Sequence, residues 1–150
     1  HGEHSAENEV PFVQASLPNV PLVLAIIGDH NENTIKALSE ALSKLSKKKK
    51  LLIVASSDML HNPDYELVTR TDKASLKTLA SMNIDALLKE WSFSHQTFCG
   101  ITAVAVTMQF AKNQGCKQAT VLTYRNSGDD FPDSRGQWVV GYGAVVFTVK

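Results

Sequence analysis

The chain has 150 residues, enough for one domain with a sizeable core, and its 43% hydrophobic and 20% charged residues are ordinary for a globular protein. Fifteen basic residues balance fifteen acidic ones, which argues against recruitment to nucleic acid or an anionic membrane by overall charge. The lysine block at 47–50 is expected to follow the end of a helix, where cations complement the helix dipole. No apolar run approaches the roughly 18 residues of a membrane span, and no secretory signal is recognisable.

In chain order, the first pattern predicts a helix over residues 3–16. Residues 22–28 and 51–57 are dominated by continuous apolar runs, which predict two buried strands. Between these runs, apolar residues at helical spacing predict a helix whose N-cap is Asn31 or Asn33. The apolar residues of this helix are Ile35, Leu38, Leu42 and Leu45.

The second half continues the alternation of helices and strands. A helix is predicted with Thr71 as its N-cap, and another over residues 84–92. The long apolar run from 101 to 111 predicts a buried helix that ends at Gly115.

Two further strands are predicted at 119–124 and 138–147, and the glycines of the last strand predict a bulge or a close backbone approach. Strands that alternate with helices predict an α/β fold, with a mixed, mostly parallel sheet and flanking helices.

Asp58 and His61 follow directly after the apolar run 51–57, where open α/β sheets bind ligands. Three interpretations of this pair stay open. A Ser-Asp-His hydrolase would use Ser56 or Ser57, but the chain has no G-x-S-x-G nucleophile elbow. A structural pair would have Asp58 capping the following turn. In an acid/base pair, the carboxylate would hold one imidazole tautomer while the other ring nitrogen exchanges protons.

Cys99 is predicted to lie just before a helix, where the positive end of the helix dipole favours the thiolate. A thiolate near a histidine is a soft metal ligand or a nucleophile, whereas a buried cysteine is commonly a small apolar residue. Residues 97–100 are expected to face Asp58 and His61. A disulfide with Cys116 is not expected, because a helix over 101–114 would separate the two residues by about 20 Å. Reduced thiols are typical of a cytoplasmic protein.

Five short motifs, in order along the chain, resemble the Memo family, which includes the microbial AmmeMemoRadiSam system protein B and the animal cell-motility mediator. The motifs are Glu3-His4-Ser5-x-Glu7-x-x-x-Pro11-Phe12, Ser56-Ser57-Asp58-x-x-His61, Cys99-Gly100, Asn126-Ser127-Gly128-Asp129 and Val139-Val140-Gly141-Tyr142-Gly143-Ala144. Each motif is weak alone, but their order across the whole chain makes the resemblance fairly specific.

The resemblance implies a fold similar to class III extradiol dioxygenases, with a metal pocket built from two histidines and the cysteine that matches Cys99. His61 is implied to line this pocket as a proton-transfer residue with Asp58 beside it. The implied metals are iron(II) or copper, with zinc as a further candidate, since all three suit thiolate and imidazole ligands. The pocket is completed by three further residues of the motifs: His4, Ser57 and Gly100.

The chain also departs from the family pattern. The two histidine ligands have no counterpart, because the match begins about midway along a typical member. Ile101 stands where many members have arginine, and Met59-Leu60 replaces a more aromatic pair. Residues 1–150 are therefore expected to be the carboxyl-terminal part of a larger Memo-like α/β domain, incomplete in this chain. A companion amino-terminal segment or chain is expected to supply the two missing ligands.

The resemblance leaves three functions open. The first is a non-heme metal-dependent redox or dioxygenase-type enzyme, with Cys99 as metal ligand and His61 as acid/base. The second is a metal-binding or phosphopeptide-binding module without turnover, and the third is a structural half-domain. A small molecule or a peptide is the expected ligand, whereas nucleic acid and membrane are not expected partners.

Overall fold

The computed structural model describes residues 5–149. Within that range the helices are α1 (Ser5–Ser16), α2 (Glu32–Ser46), α3 (Tyr65–Ala80), α4 (Ile84–Glu90), α5 (Ile101–Asn113) and α6 (Ser127–Asp130). The strands are β1 (His61–Asn62), β2 (Ala119–Asn126) and β3 (Val139–Phe147). The prediction of a mixed α/β protein is confirmed at this level.

The three strands form one sheet in the order β1-β3-β2, and both neighbouring pairs are antiparallel. The prediction of a mostly parallel sheet is therefore wrong for the described part of the chain. Parallel neighbours need a crossover, usually a helix, that returns the chain to the same end of the sheet. Here the two long strands are joined only by α6 and a 3₁₀ turn at Pro132–Ser134, so β3 runs back along β2.

Residues 22–28 and 51–57 form no strand in the structure, which corrects the two central strand predictions. Both segments are non-helical, and neither joins the three-stranded ladder of the described residues. Residues 22–26 are exposed, whereas residues 51–55 alternate between partly buried and exposed; Val23 is 89% and Leu52 is 72% accessible. An apolar run predicts burial, but a strand also needs a neighbouring backbone to pair with.

The helices mostly begin where local sequence signals place them. The Asn31 side chain accepts a hydrogen bond from Asn33 N–H at 2.8 Å, which confirms Asn31 as the cap of α2. The prediction that Thr71 caps the next helix is wrong, because the Asp64 carboxylate accepts from two amides and starts α3 earlier. Gly115 has a φ of +96°, typical of a residue that ends a helix, just after α5.

The core lies between α5, α3 and the inner face of β3. The buried helix α5 is confirmed, and α2 and α4 pack around it. The most deeply buried apolar side chains are Met59, Val68, Leu87, Ile101, Ala105, Met108 and Val139. No helix within residues 5–149 combines the length and apolarity needed to cross a membrane.

The glycines of β3 allow α3 to approach the sheet closely, which is one of the two alternatives that their presence in the strand predicted. A Cβ atom at Gly141 would overlap the carboxylate of Asp72, and one at Gly143 would lie 2.9 Å from a methyl carbon of Leu76. Asp72 and Leu76 are both buried residues of α3. Larger residues at these two positions of β3 would push the helix away from the sheet.

Candidate functional site

Asp58 and His61 lie where the chain reaches the sheet after the irregular segment 51–57. Met59 N–H donates to the Gly141 carbonyl at 2.9 Å, and Gly141 N–H donates to the Leu60 carbonyl at 3.2 Å. These two bonds fix the segment between the acid and the histidine against β3. His61 then pairs with Val140 as the first residue of β1.

The two side chains contact each other across one turn. Nε2 of His61 lies 3.0 Å from Oδ2 of Asp58, and each side chain is about one-third exposed. Their atoms are at hydrogen-bond distance, but Nε2 of His61 and Oδ1 of Asp58 are buried without any hydrogen-bond partner among the described residues. The two side chains are therefore in contact without a well-aligned hydrogen bond. The pair keeps hydrogen-bonding capacity for a further group.

The segment with Cys99 lies directly against this pair. Cys99 N–H donates to the Asp58 carbonyl at 3.2 Å, and Gly100 N–H donates to Oγ of Ser57 at 2.9 Å. A Cβ at Gly100 would lie 3.1 Å from the carbonyl oxygen of Ser56, so a side chain there would crowd the contact. The structure thus brings together four of the predicted site residues, and His61 lies beside them.

Unsatisfied polar atoms concentrate in these two segments. Within residues 5–149, buried side-chain atoms without a hydrogen-bond partner occur on Asp58, His61, Thr97 and Ser134. Three of these four residues belong to the segments that carry the acid/base pair and the cysteine. Buried polar atoms are normally paired, and unpaired ones cost free energy. Their concentration here is typical of a site that receives a ligand or a further protein segment.

The serines do not form a hydrolase site in this arrangement. Ser56 Oγ donates to the Ser5 carbonyl at 2.9 Å and lies 3.1 Å from a carboxylate oxygen of Glu9. Ser57 Oγ donates to the Asp58 carbonyl at 2.7 Å. Neither hydroxyl is bonded to His61, which removes the nucleophile–base contact that a serine hydrolase needs.

The described residues do not form a complete metal site on their own. Cys99 is an exposed residue and forms no disulfide. However, no group of three or more His, Cys, Asp or Glu side chains within residues 5–149 is arranged to hold a metal ion. The predicted pocket residue His4 lies outside the described residues.

Two aromatic residues at β3 join the site, and the sequence reasoning missed them. The rings of His61 and Trp138 meet edge to face with centroids 6.0 Å apart. Burial and the negative charge of Asp58 raise the pKa of Tyr142. Both aromatic side chains remain about half exposed. Only the antiparallel pairing of β1 with β3 places them here, so no local pattern could have found them.

Comparison with known proteins supports the resemblance carried by the five motifs. A family model described as Memo-like protein matches residues 1–146, nearly the whole chain. The chain belongs to the Memo-like family.

Proteins similar to this Memo-like chain include members from three archaea. It is 31% identical over 146 residues to a MEMO1 family protein of Nitrosopumilus maritimus, covering 97% of the chain and 52% of the relative. A MEMO1 family protein of Thermoplasma volcanium is 33% identical over 145 residues, covering 96% of the chain and 52% of the relative. One from Archaeoglobus fulgidus is 30% identical over 149 residues, covering 98% and 56%. The chain therefore spans about half the length of these relatives.

The five Memo-like motifs are neighbours in space. The first motif meets the second through the bond from Ser56 to the Ser5 carbonyl. The second meets the Cys99-Gly100 motif at Asp58 and Ser57, and the segment within it pairs with Gly141 of the last motif. The fourth meets the last where Ser127 Oγ accepts from Val140 N–H at 3.0 Å. The residues that carry the family resemblance thus surround one region of the fold.

Proposed function

We propose that this Memo-like chain contributes one thiolate ligand, from Cys99, to a metal site shared with a companion segment. Iron(II) or copper is the proposed metal, with zinc as a further candidate, because thiolate ligands favour these ions over magnesium or calcium. The observation that carries the proposal is the group of unpaired buried atoms on Asp58, His61 and Thr97, next to the exposed cysteine. When bound, the metal would supply Lewis-acid or redox chemistry at this position.

Asp58 and His61 are proposed to move protons beside that site. The carboxylate lies 3.0 Å from Nε2 of the imidazole and can stabilise a positive charge on the ring. Trp138 packs edge-on against the ring and restricts its orientation. The reaction is proposed to be of the non-heme redox or dioxygenase type, in a larger domain similar to class III extradiol dioxygenases. A thiolate in place of a carboxylate ligand argues against classical ring cleavage, because thiolates oxidise readily.

The companion is proposed to be the amino-terminal half of the Memo-like domain, and it would supply the two further metal ligands. An apolar cleft of about 520 Å³ lies between residues 51–55 and the end of β3, lined also by Phe98 and Phe110. Leu52 and Val54 are more than half exposed beside this cleft. An extended segment of the companion would pair with 51–57 and bury these side chains. The relatives are about twice as long as this chain, which leaves length for such a half.

Native mass spectrometry, on the protein as purified and with its partners retained, tests both proposals together. We expect a second polypeptide and a bound transition metal in the unsubstituted protein. Cys99→Ser should reduce the metal content about tenfold or more while keeping the second polypeptide. Cys116→Ala is the control for loss of a cysteine, because Cys116 is buried as part of the hydrophobic core and is not one of the proposed ligands. A metal content unchanged by Cys99→Ser would contradict the ligand assignment. A single chain that retains a full complement of metal would contradict the shared site.

Oxygen consumption with catechol-like compounds tests the proton-transfer role. We expect uptake by the metal-loaded protein and a loss of about a hundredfold in His61→Ala, within the range for a general acid/base residue. His95→Ala is the control for loss of an exposed histidine that is not part of the Asp58–His61 pair. Metal bound without any oxygen uptake would favour the module that binds without turnover. Uptake that is equal in both variants would remove His61 from the mechanism.

Reduced thiols are consistent with a cytoplasmic location, which is proposed here on that ground.

A further inference from the structure

Asp72 of α3 is a buried carboxylate that the proposed function does not use. The residue has no exposed surface, and no ion pair within residues 5–149 involves it. Its Oδ1 accepts a hydrogen bond from Leu60 N–H at 3.1 Å, and its Oδ2 accepts one from the hydroxyl of Tyr124 at 2.9 Å. Burying a carboxylate without a cation costs free energy, so these two bonds must do most to hold it in place.

A small hydrogen-bond network orients the hydroxyl group of Tyr124, which belongs to β2. The side-chain amide of Asn126 donates to Oγ1 of Thr69 at 3.0 Å and to the hydroxyl oxygen of Tyr124 at 3.3 Å. Since that oxygen already accepts a hydrogen bond, its own proton is directed to Asp72. Oδ2 of Asp72 is therefore held by Tyr124 of β2, and Oδ1 accepts the hydrogen bond from the Leu60 amide.

Leu60 is the point at which this network reaches the site. Its N–H is held by Asp72, and its carbonyl accepts from Gly141 N–H at 3.2 Å. His61 is the next residue, and β1 has only two residues with which to pair with β3. The contact with β3 is short and runs only from Met59 to Asn62, and the bond from the Leu60 amide to Asp72 adds a restraint from α3.

We propose that Asp72 is the positioning residue for His61. Through the Leu60 amide, it sets where the chain enters β1, and so where the imidazole lies between Asp58 and Trp138. The inference rests on the proposed proton-transfer role of His61, because only that role gives the ring position a chemical consequence. A carboxylate with a purely structural role would change stability without changing the surroundings of the imidazole.

Nuclear magnetic resonance at one fixed pH, near 7.5, tests the proposal on the full chain without metal. In Asp72→Ala we expect loss of the contact between the His61 and Trp138 rings, and ring-nitrogen shifts of His61 that move towards those of an unrestrained imidazole. Asp72→Asn should restore both signals, because its amide oxygen can still accept from Leu60 N–H. Asp85→Asn, at an exposed carboxylate of α4, is the control and should match the unsubstituted protein.

Two outcomes of these measurements would overturn the positioning role of Asp72. His61 signals that remain unchanged in a folded Asp72→Ala protein would overturn it. If that variant does not fold, Asp72→Ser takes its place, since its shorter side chain cannot reach the amide. In the unsubstituted protein, the Leu60 amide should exchange with solvent as slowly as core amides, and rapid exchange would overturn the proposal without any variant. None of these measurements needs bound metal, so failure of the proposed metal site would leave them interpretable.

Discussion

Replacement of Gly141 with alanine is expected to destabilise the protein by about 3 kcal/mol or more. A Cβ atom at this position would overlap the Asp72 carboxylate and lie 3.3 Å from Cβ of Met59. Both neighbours are fully buried, so neither can move into solvent. The carboxylate would have to leave the Leu60 amide or the Tyr124 hydroxyl, and a buried polar group would lose its partner. In urea unfolding, the loss of stability should appear as a lower urea concentration at the midpoint of the transition.

Gly28→Ala is the matched control for that substitution. No atom lies within 4 Å of a Cβ built at Gly28, and its φ is not in the left-handed region. We expect a change within about 0.5 kcal/mol at this exposed position. Equal stability of the two variants would show that α3 does not press on β3 as closely as the structure indicates.

The second large effect is a fall in stability as the pH rises, caused by Asp72. Burial raises the pKa of its carboxyl from 3.8 to about 6, and the bonds from Leu60 and Tyr124 and the nearby His61 oppose the rise. The folded protein therefore holds a proton that the unfolded chain releases near its ordinary pKa. Stability should fall by about 3 kcal/mol as the pH rises from about 4 to about 6, and this contribution should be constant above that range.

Asp72→Asn isolates this contribution, because asparagine cannot ionise and still offers an acceptor to Leu60. The free energy of unfolding should be measured in urea for both proteins across that pH range, and the difference between them compared. Groups that do not interact with Asp72 cancel in the difference: the Tyr65 hydroxyl, which donates to Asp129, lowers the pKa of that carboxyl in both proteins. A difference that is independent of pH would show that Asp72 has an ordinary pKa in the folded state.

The sequence alone determined the helices and the family. Asn31 caps α2, the apolar run from 101 produces the buried helix α5, and Gly115 follows its end. These features depend on residues within one or two turns of one another, because caps and helical hydrogen bonds are local. The start of α3 was missed only because Asp64 lay outside the apolar stripe that was used to find it. The order of five short motifs likewise identified the Memo-like family, which the family match confirmed.

The sequence also predicted β2 and β3, but the tertiary structure decided which of the other apolar runs formed strands, and it decided the composition of the site. Residues 22–28 and 51–57 have strong strand patterns but lack ladder partners within the described chain, whereas the two-residue strand β1 has no pattern and exists because β3 lies beside it. The placement of Trp138 beside His61 follows from that same pairing. The close approach of Asp72 to Gly141 brings together residues far apart in the chain. A helix finds its hydrogen-bond partners within its own sequence, but a strand and a site need partners that only the folded chain brings near.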